Sequence, residues 1–175
     1  MSGKSTKNIE IAANLSVIAV AFLGGILLTK SLLFGGRSQM PTSPKASDAM
    51  PEIGLRITLP DVDWTAHKRT MVLVLSTRCR FCSENAPFFR RLAQEIQGRG
   101  DAGMIAVFPQ DVKQGAAYLE GLGVRVDTVI QAPVSSVGAK GTPTLIVADG
   151  EGFVSRAWVG RVPFEKESEL IGWLK

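Results

Sequence analysis

Only two cysteines occur in the 175 residues, and they stand three apart in "STRCRFCSENAPFF", Ser76 to Phe89. At that spacing Cys79 and Cys82 have three chemistries open to them: metal ligation, a structural staple, or reversible thiol–disulfide exchange. A structural zinc site takes four ligands, and beyond the pair the chain offers a single histidine, His67, in the charged turn "AHKRT", where it reads as solvated. Cu(I) accepts two soft thiolates, which would make the chain a thiolate binding module such as a Cu(I) chaperone, yet no Met or His stands beside the pair to support it. As a staple, a bridge across two intervening residues removes little unfolded-chain entropy, because that gain grows with loop length. Exchange is the use such close sulfurs serve best, with no metal and no cofactor beyond the pair itself.

The neighbours of the pair sharpen this reading. A helix beginning near Cys79 would place that thiol among the orphan N–H groups of a helix N-terminus, which favour an anion. Arg78 and Arg80 flank it with fixed positive charge, although arginines are also ordinary surface residues. Both effects raise the thiolate fraction, and the thiolate is the nucleophile in exchange. Cys82, one turn further on and past Phe81, is the natural resolving partner.

The rest of the chain must supply a frame that holds this turn. "GLRITLP" (54–60) reads as a short strand, and "TMVLVLST" (70–77) as a buried strand that delivers the chain to the cysteines. Phe88, Phe89, Leu92, Ala93 and Ile96 recur at helical spacing before Gly98 and Gly100. "GMIAVFP" (103–109) gives another strand, and Asp111 is the expected N-cap of a helix through "VKQGAAYLEGLG". "TLIVA" (144–148) and "FVSRAWV" (153–159), joined by Asp149-Gly150-Glu151-Gly152, predict an antiparallel pair. "PFEKESELIGWLK" predicts a closing helix. The order β-β-α-β-α-β-β-α implies an α/β fold with a mixed sheet and helices on both faces.

Ahead of this frame, residues 11–29 form 19 uncharged positions, "IAANLSVIAVAFLGGILLT", about 28 Å as a helix and close to a bilayer's hydrocarbon thickness. No small-residue cleavage site follows. The chain therefore divides into a cytoplasmic N-terminus (1–10), a transmembrane anchor (11–34), a Gly/Ser/Pro-rich flexible linker (35–51) and one domain (52–175). Of the net charge of +4, most comes from residues 1–51, with 5 Lys/Arg against 2 acids; residues 52–175 carry 15 against 14. No basic patch argues for nucleic acid. The charges flanking the anchor barely fix its orientation.

The CxxC pair at a helix start, Pro87 five residues after Cys82, and "GTPTLIVADGEG" near residue 141 together resemble the thioredoxin superfamily. With the anchor, the chain is most similar to membrane-tethered, TlpA-like thiol-disulfide oxidoreductases of bacteria, over residues 52–175. The resemblance implies a thioredoxin-like fold and a cis bond before Pro143, with the Thr142 backbone offered to substrate. It also implies a helix-kinking role for Pro87 and a site-closing role for Gly160. By the same analogy the domain lies on the periplasmic or outer side of the inner membrane, exchanging with protein thiols and disulfides and with a transmembrane electron-transfer protein. The sequence departs from the family at three places: Arg78 stands where Trp is usual, Leu73 where thioredoxins bury an acid, and Asn85 where TlpA-like reductants often have Glu, leaving Glu84 as the nearby carboxylate. A related thiol peroxidase would need Pro-x-x-x-Thr/Ser-x-x-Cys; Ser76 and Cys79 fit it, but Val72 holds the Pro position.

Overall fold

The computed structural model describes residues 50–174. The expected cytoplasmic segment, the anchor and nearly all of the linker lie outside them. Among the described residues no helix is long and apolar enough to cross a membrane.

Five strands form one sheet: β1 (Arg69–Val74), β2 (Ala102–Phe108), β3 (Thr128–Gln131), β4 (Thr144–Asp149) and β5 (Val154–Val159), in the order β3-β2-β1-β4-β5. The left half is parallel and the right half antiparallel. Strand β1 is central and buried from Thr70 onward, which is why its sequence is a continuous apolar run rather than an alternation. Among the described residues there are four α-helices, α1 (Arg80–Glu84), α2 (Ala86–Gln97), α3 (Val112–Leu122) and α4 (Phe164–Gly172), the expected helix after the cysteines being divided into α1 and α2.

Alternate residues of the strands feed two separate cores, as a period of two requires. Met71, Leu73, Met104, Ala106, Phe108, Leu145 and Val147 face Phe88, Phe89 and Leu92 of α2, Leu119 of α3 and Leu170 of α4. Val72, Val74, Ile105, Val107 and Ile146 face Ile57, Leu59, Val137 and Ala139. The two faces are thus flanked unequally: the α-helices serve the first core, whereas the second is closed by extended chain and two 3-10 turns, Trp64–Ala66 and Val134–Val137.

Two elements differ from the sequence reading. Residues 54–60 do not form a strand; they make one isolated bridge, Arg56 to Phe153, and seat Ile57 and Leu59 in the second core. Gly54 has a positive φ of 86° and Pro60 has no N–H, so a ladder has little length in which to grow. Strand β3, conversely, adds an unforeseen edge in which only Ile130 is buried. His67 is half-buried rather than solvated: its ring lies against Gly103, where a Cβ would come within 2.3 Å of Cδ2.

Candidate functional site

From the C-terminal end of the central strand β1 the chain turns through Leu75 to Arg78 into α1. That turn is pinned from β2's side: the Gln110 amide donates to Ser76 Oγ at 3.2 Å and its oxygen accepts the Thr77 N–H at 3.3 Å. Ser76 Oγ also accepts the Arg78 N–H, and the Ser76 carbonyl accepts that of Cys79. Cys79 is thereby held as the N-cap of α1, with the Cys82 N–H donating to its sulfur at 3.2 Å. An N–H aimed at sulfur stabilises a thiolate more than a thiol.

Cys79 and Cys82 are joined as a disulfide with Cα atoms 5.3 Å apart. Their environments differ sharply. Cys79 is half-buried, while Cys82 is 0% exposed and packed in the first core with Leu73. An incoming sulfur can reach only Cys79. The Thr142–Pro143 bond is cis, and the Thr142 carbonyl oxygen lies 3.3 Å from Cys79 Sγ, placed to accept from the thiol of the reduced pair.

Pro87 sits in the first turn of α2 and has no N–H to continue the helical ladder, so α1 and α2 part at Asn85. Asn85 is 3% exposed. Its Oδ1 accepts the Val162 N–H at 3.0 Å and its Nδ2 reaches the Gly160 carbonyl at 3.5 Å, while the Gly160 N–H donates to the Pro143 carbonyl at 2.8 Å. Asn85 therefore fastens the cysteine-bearing helix to the strand-end loop that in turn carries the cis-proline segment. Gly160 makes this junction with a φ of 89°, a region that favours glycine.

The structure brings together Cys79, Cys82, Thr142 and Pro143. Arg78 and Phe81 stand exposed beside them, and Pro87 is set back on the helix. Arg80 and Glu84 are turned to each other on the outer face of α1, Nε to Oε1 2.7 Å, so each spends its charge on the other. Leu73 leaves the floor beneath Cys82 apolar. Gln110 and the bonding role of Asn85 were not foreseen; one amide among loop residues carries no sequence signal, although Asn85 had marked itself as a departure. Among the described residues no cluster of three or more metal-ligating side chains occurs.

No family model matches the sequence, and no curated protein matches it. Solved structures do. A protein from Chlorobium tepidum assigned as a thiol:disulfide interchange protein DsbE is 22% identical with a TM-score of 0.52, over 71% of this chain and 99% of the other. The thioredoxin domain of a thiol-disulfide oxidoreductase from Bacteroides vulgatus is 14% identical at 0.55, over 73% and 99%. A thiol-disulfide isomerase from Corynebacterium glutamicum is 17% identical at 0.51, over 71% and 92%. Together with the strand order and the helix-start cysteines, these likenesses establish a thioredoxin-like fold.

Proposed function

We propose that this thioredoxin-fold protein is a thiol-disulfide oxidoreductase that reduces disulfides in protein substrates through Cys79 and Cys82. The observation that carries the reading is the asymmetry of the pair: one sulfur half-buried and reachable, under an N–H donor and beside the Thr142 carbonyl that precedes the cis proline, the other sealed in the core.

In the reduced protein, Cys79 thiolate attacks one sulfur of a substrate disulfide. A Cys79–substrate S–S bond forms, the substrate S–S bond breaks, and the first substrate thiolate leaves. Cys82 then loses its proton to solvent or to the departing thiolate and attacks Cys79 Sγ. The protein disulfide closes, the second substrate thiolate is released, and two electrons have passed from the pair to the substrate. No cofactor is needed beyond the pair.

The apolar stretch at residues 11–29 supports tethering by a single membrane helix, with the catalytic domain outside the cytoplasm, where disulfides persist. A transmembrane electron-transfer protein would return the oxidised pair to the dithiol. Tethering raises the local concentration of such a partner.

Cys79→Ser abolishes reduction of a protein disulfide, and retained activity would sink the mechanism. Cys82→Ser in cells accumulates mixed disulfides through Cys79, whose captured proteins are substrates. Absence of any trapped species from Cys82→Ser points instead to a thiolate-binding module.

A further inference from the structure

The loops at the cysteine end of the sheet carry an uneven set of side chains. Arg78 precedes Cys79, Lys140 stands two residues before Thr142, and Arg161 lies between Gly160 and Val162, the two residues held by Asn85. All three are exposed, and none pairs with a carboxylate within 4 Å among the described residues. The acids nearby offset them only in part: Glu84 is paired with Arg80, whereas Asp111, which caps α3 through the Gln114 N–H, and Glu165 keep their charge, so that three cations face two carboxylates. Apolar surface gathers on the same end. Phe81, between the cysteines, is 54% exposed, and Phe164, at the start of α4 just beyond Arg161, is 79% exposed.

A thiolate-bearing face would ordinarily repel an anionic substrate, and the excess of cations over free carboxylates at this end opposes that repulsion at the one sulfur that is reachable. Charges of one sign around an attack site raise the encounter rate of opposite charges. Exposed aromatic side chains beside it give an apolar residue somewhere to lie. From this, and resting on the oxidoreductase reading above, we propose that the site selects polypeptide disulfides whose cysteine is flanked by carboxylates and an apolar side chain, and disfavours basic ones. The selection acts on Cys79's first attack, where substrate and protein charges meet, and not on resolution by the buried Cys82.

The test uses the reduced full-length protein and three small disulfides: dithiodipropionate (dianion), hydroxyethyl disulfide (neutral) and cystamine (dication). Each second-order rate is divided by that of free mercaptoethanol with the same disulfide, which removes intrinsic reactivity. The normalised rates fall from dianion to neutral to dication, about tenfold from end to end at low ionic strength, and converge at 1 M salt, where the screening length is about 3 Å. Arg78→Glu combined with Arg161→Glu narrows or inverts the order. Among acidic peptide disulfides, Phe81→Ser slows one bearing Leu beside the cysteine more than one bearing Gly. Equal normalised rates for all three disulfides in the native protein would overturn the inference and leave exchange intact. No reaction with any of them would overturn the oxidoreductase reading, and this inference with it.

Discussion

The two ends of the central sheet are closed by different chemistry. At the end where β1 begins, aspartates bind nearby backbone. Asp63 accepts the Thr65 N–H, Asp149 accepts those of Glu151 and Phe153, and Asp127 accepts that of Met104. At the end where β1 delivers the cysteines, the long-range ties are neutral amides, Gln110 across to Ser76 and Asn85 across to Gly160 and Val162. A carboxylate satisfies backbone N–H groups more strongly than an amide does. It would also repel a thiolate, and buried it would carry a desolvation cost. The amides at the cysteine end hold shape without adding charge, whereas Asp63, Asp127 and Asp149 keep theirs at the far end; Asp111, the cap of α3, is the aspartate that remains on the cysteine side.

Asn85 is where this contrast can be broken most severely. Asn85→Ala leaves the buried Val162 N–H without its acceptor, a loss of about 1–3 kcal/mol measurable by urea unfolding. Reduction of a protein disulfide by the folded variant slows as well, because the cis-proline loop is no longer fastened to α1. Asn85→Asp separates shape from charge: it keeps the acceptor for Val162 but sets a carboxylate against the Gly160 carbonyl and behind the cysteines. Its initial attack, taken as a ratio to wild type at the same pH, should be low at neutral pH and rise in part as the pH falls towards the carboxylate range, about 4, although both absolute rates fall as the thiolate is protonated. A pH-independent deficit would assign Asn85 a purely geometric role.

Gly103 tests the opposite end, with an effect confined to stability. An alanine Cβ there would lie 2.3 Å from His67 Cδ2 and 2.9 Å from Nε2, so the ring or the strand must shift. Gly103→Ala should cost about 1–3 kcal/mol without changing exchange per folded molecule. In a His67→Ala background the cost should shrink, since neighbouring sites couple non-additively. Additive losses would mean that the strand and not the ring takes up the strain.

How much of this could be read in the sequence depended on the physical range of each signal. A helix start at Cys79 and the buried run of β1 are local consequences of residue type and spacing, and they are legible; the break at Pro87 follows only from the family resemblance, since the apolar spacing alone reads as one helix. Strand β3 was not legible, because an edge of four residues with one buried side chain has almost no alternation to detect. The segment at 54–60 misled in the other direction: Ile57 and Leu59 alternate like a strand, but their burial comes from the second core and not from a ladder. At the site, Arg80 was credited to Cys79 when its partner is Glu84 four residues on, a pairing that helix geometry itself favours. The bonds of Asn85 and Gln110 span 33 to 77 positions, and no local pattern encodes them.

The mildest test of the contrast is acid. Asp63, fully exposed, has its carboxyl held below the ordinary value of 3.8, chiefly by the hydrogen bond from Thr65 Oγ and next by the Thr65 N–H. Because the folded value is the lower one, the stabilisation is complete above the ordinary value and is lost as the pH falls through the folded value. Thr65→Val removes the hydroxyl donor and leaves the backbone donor, so the acid-induced loss of stability as the pH falls below the ordinary value of 3.8 should become slightly shallower than in wild type. The tie at Asn85 has no proton to gain and gives no such slope. If thermal unfolding across that range shows identical slopes for the two proteins, the Thr65 hydroxyl contributes nothing to acid sensitivity, and the contrast between the ends does not extend to acid.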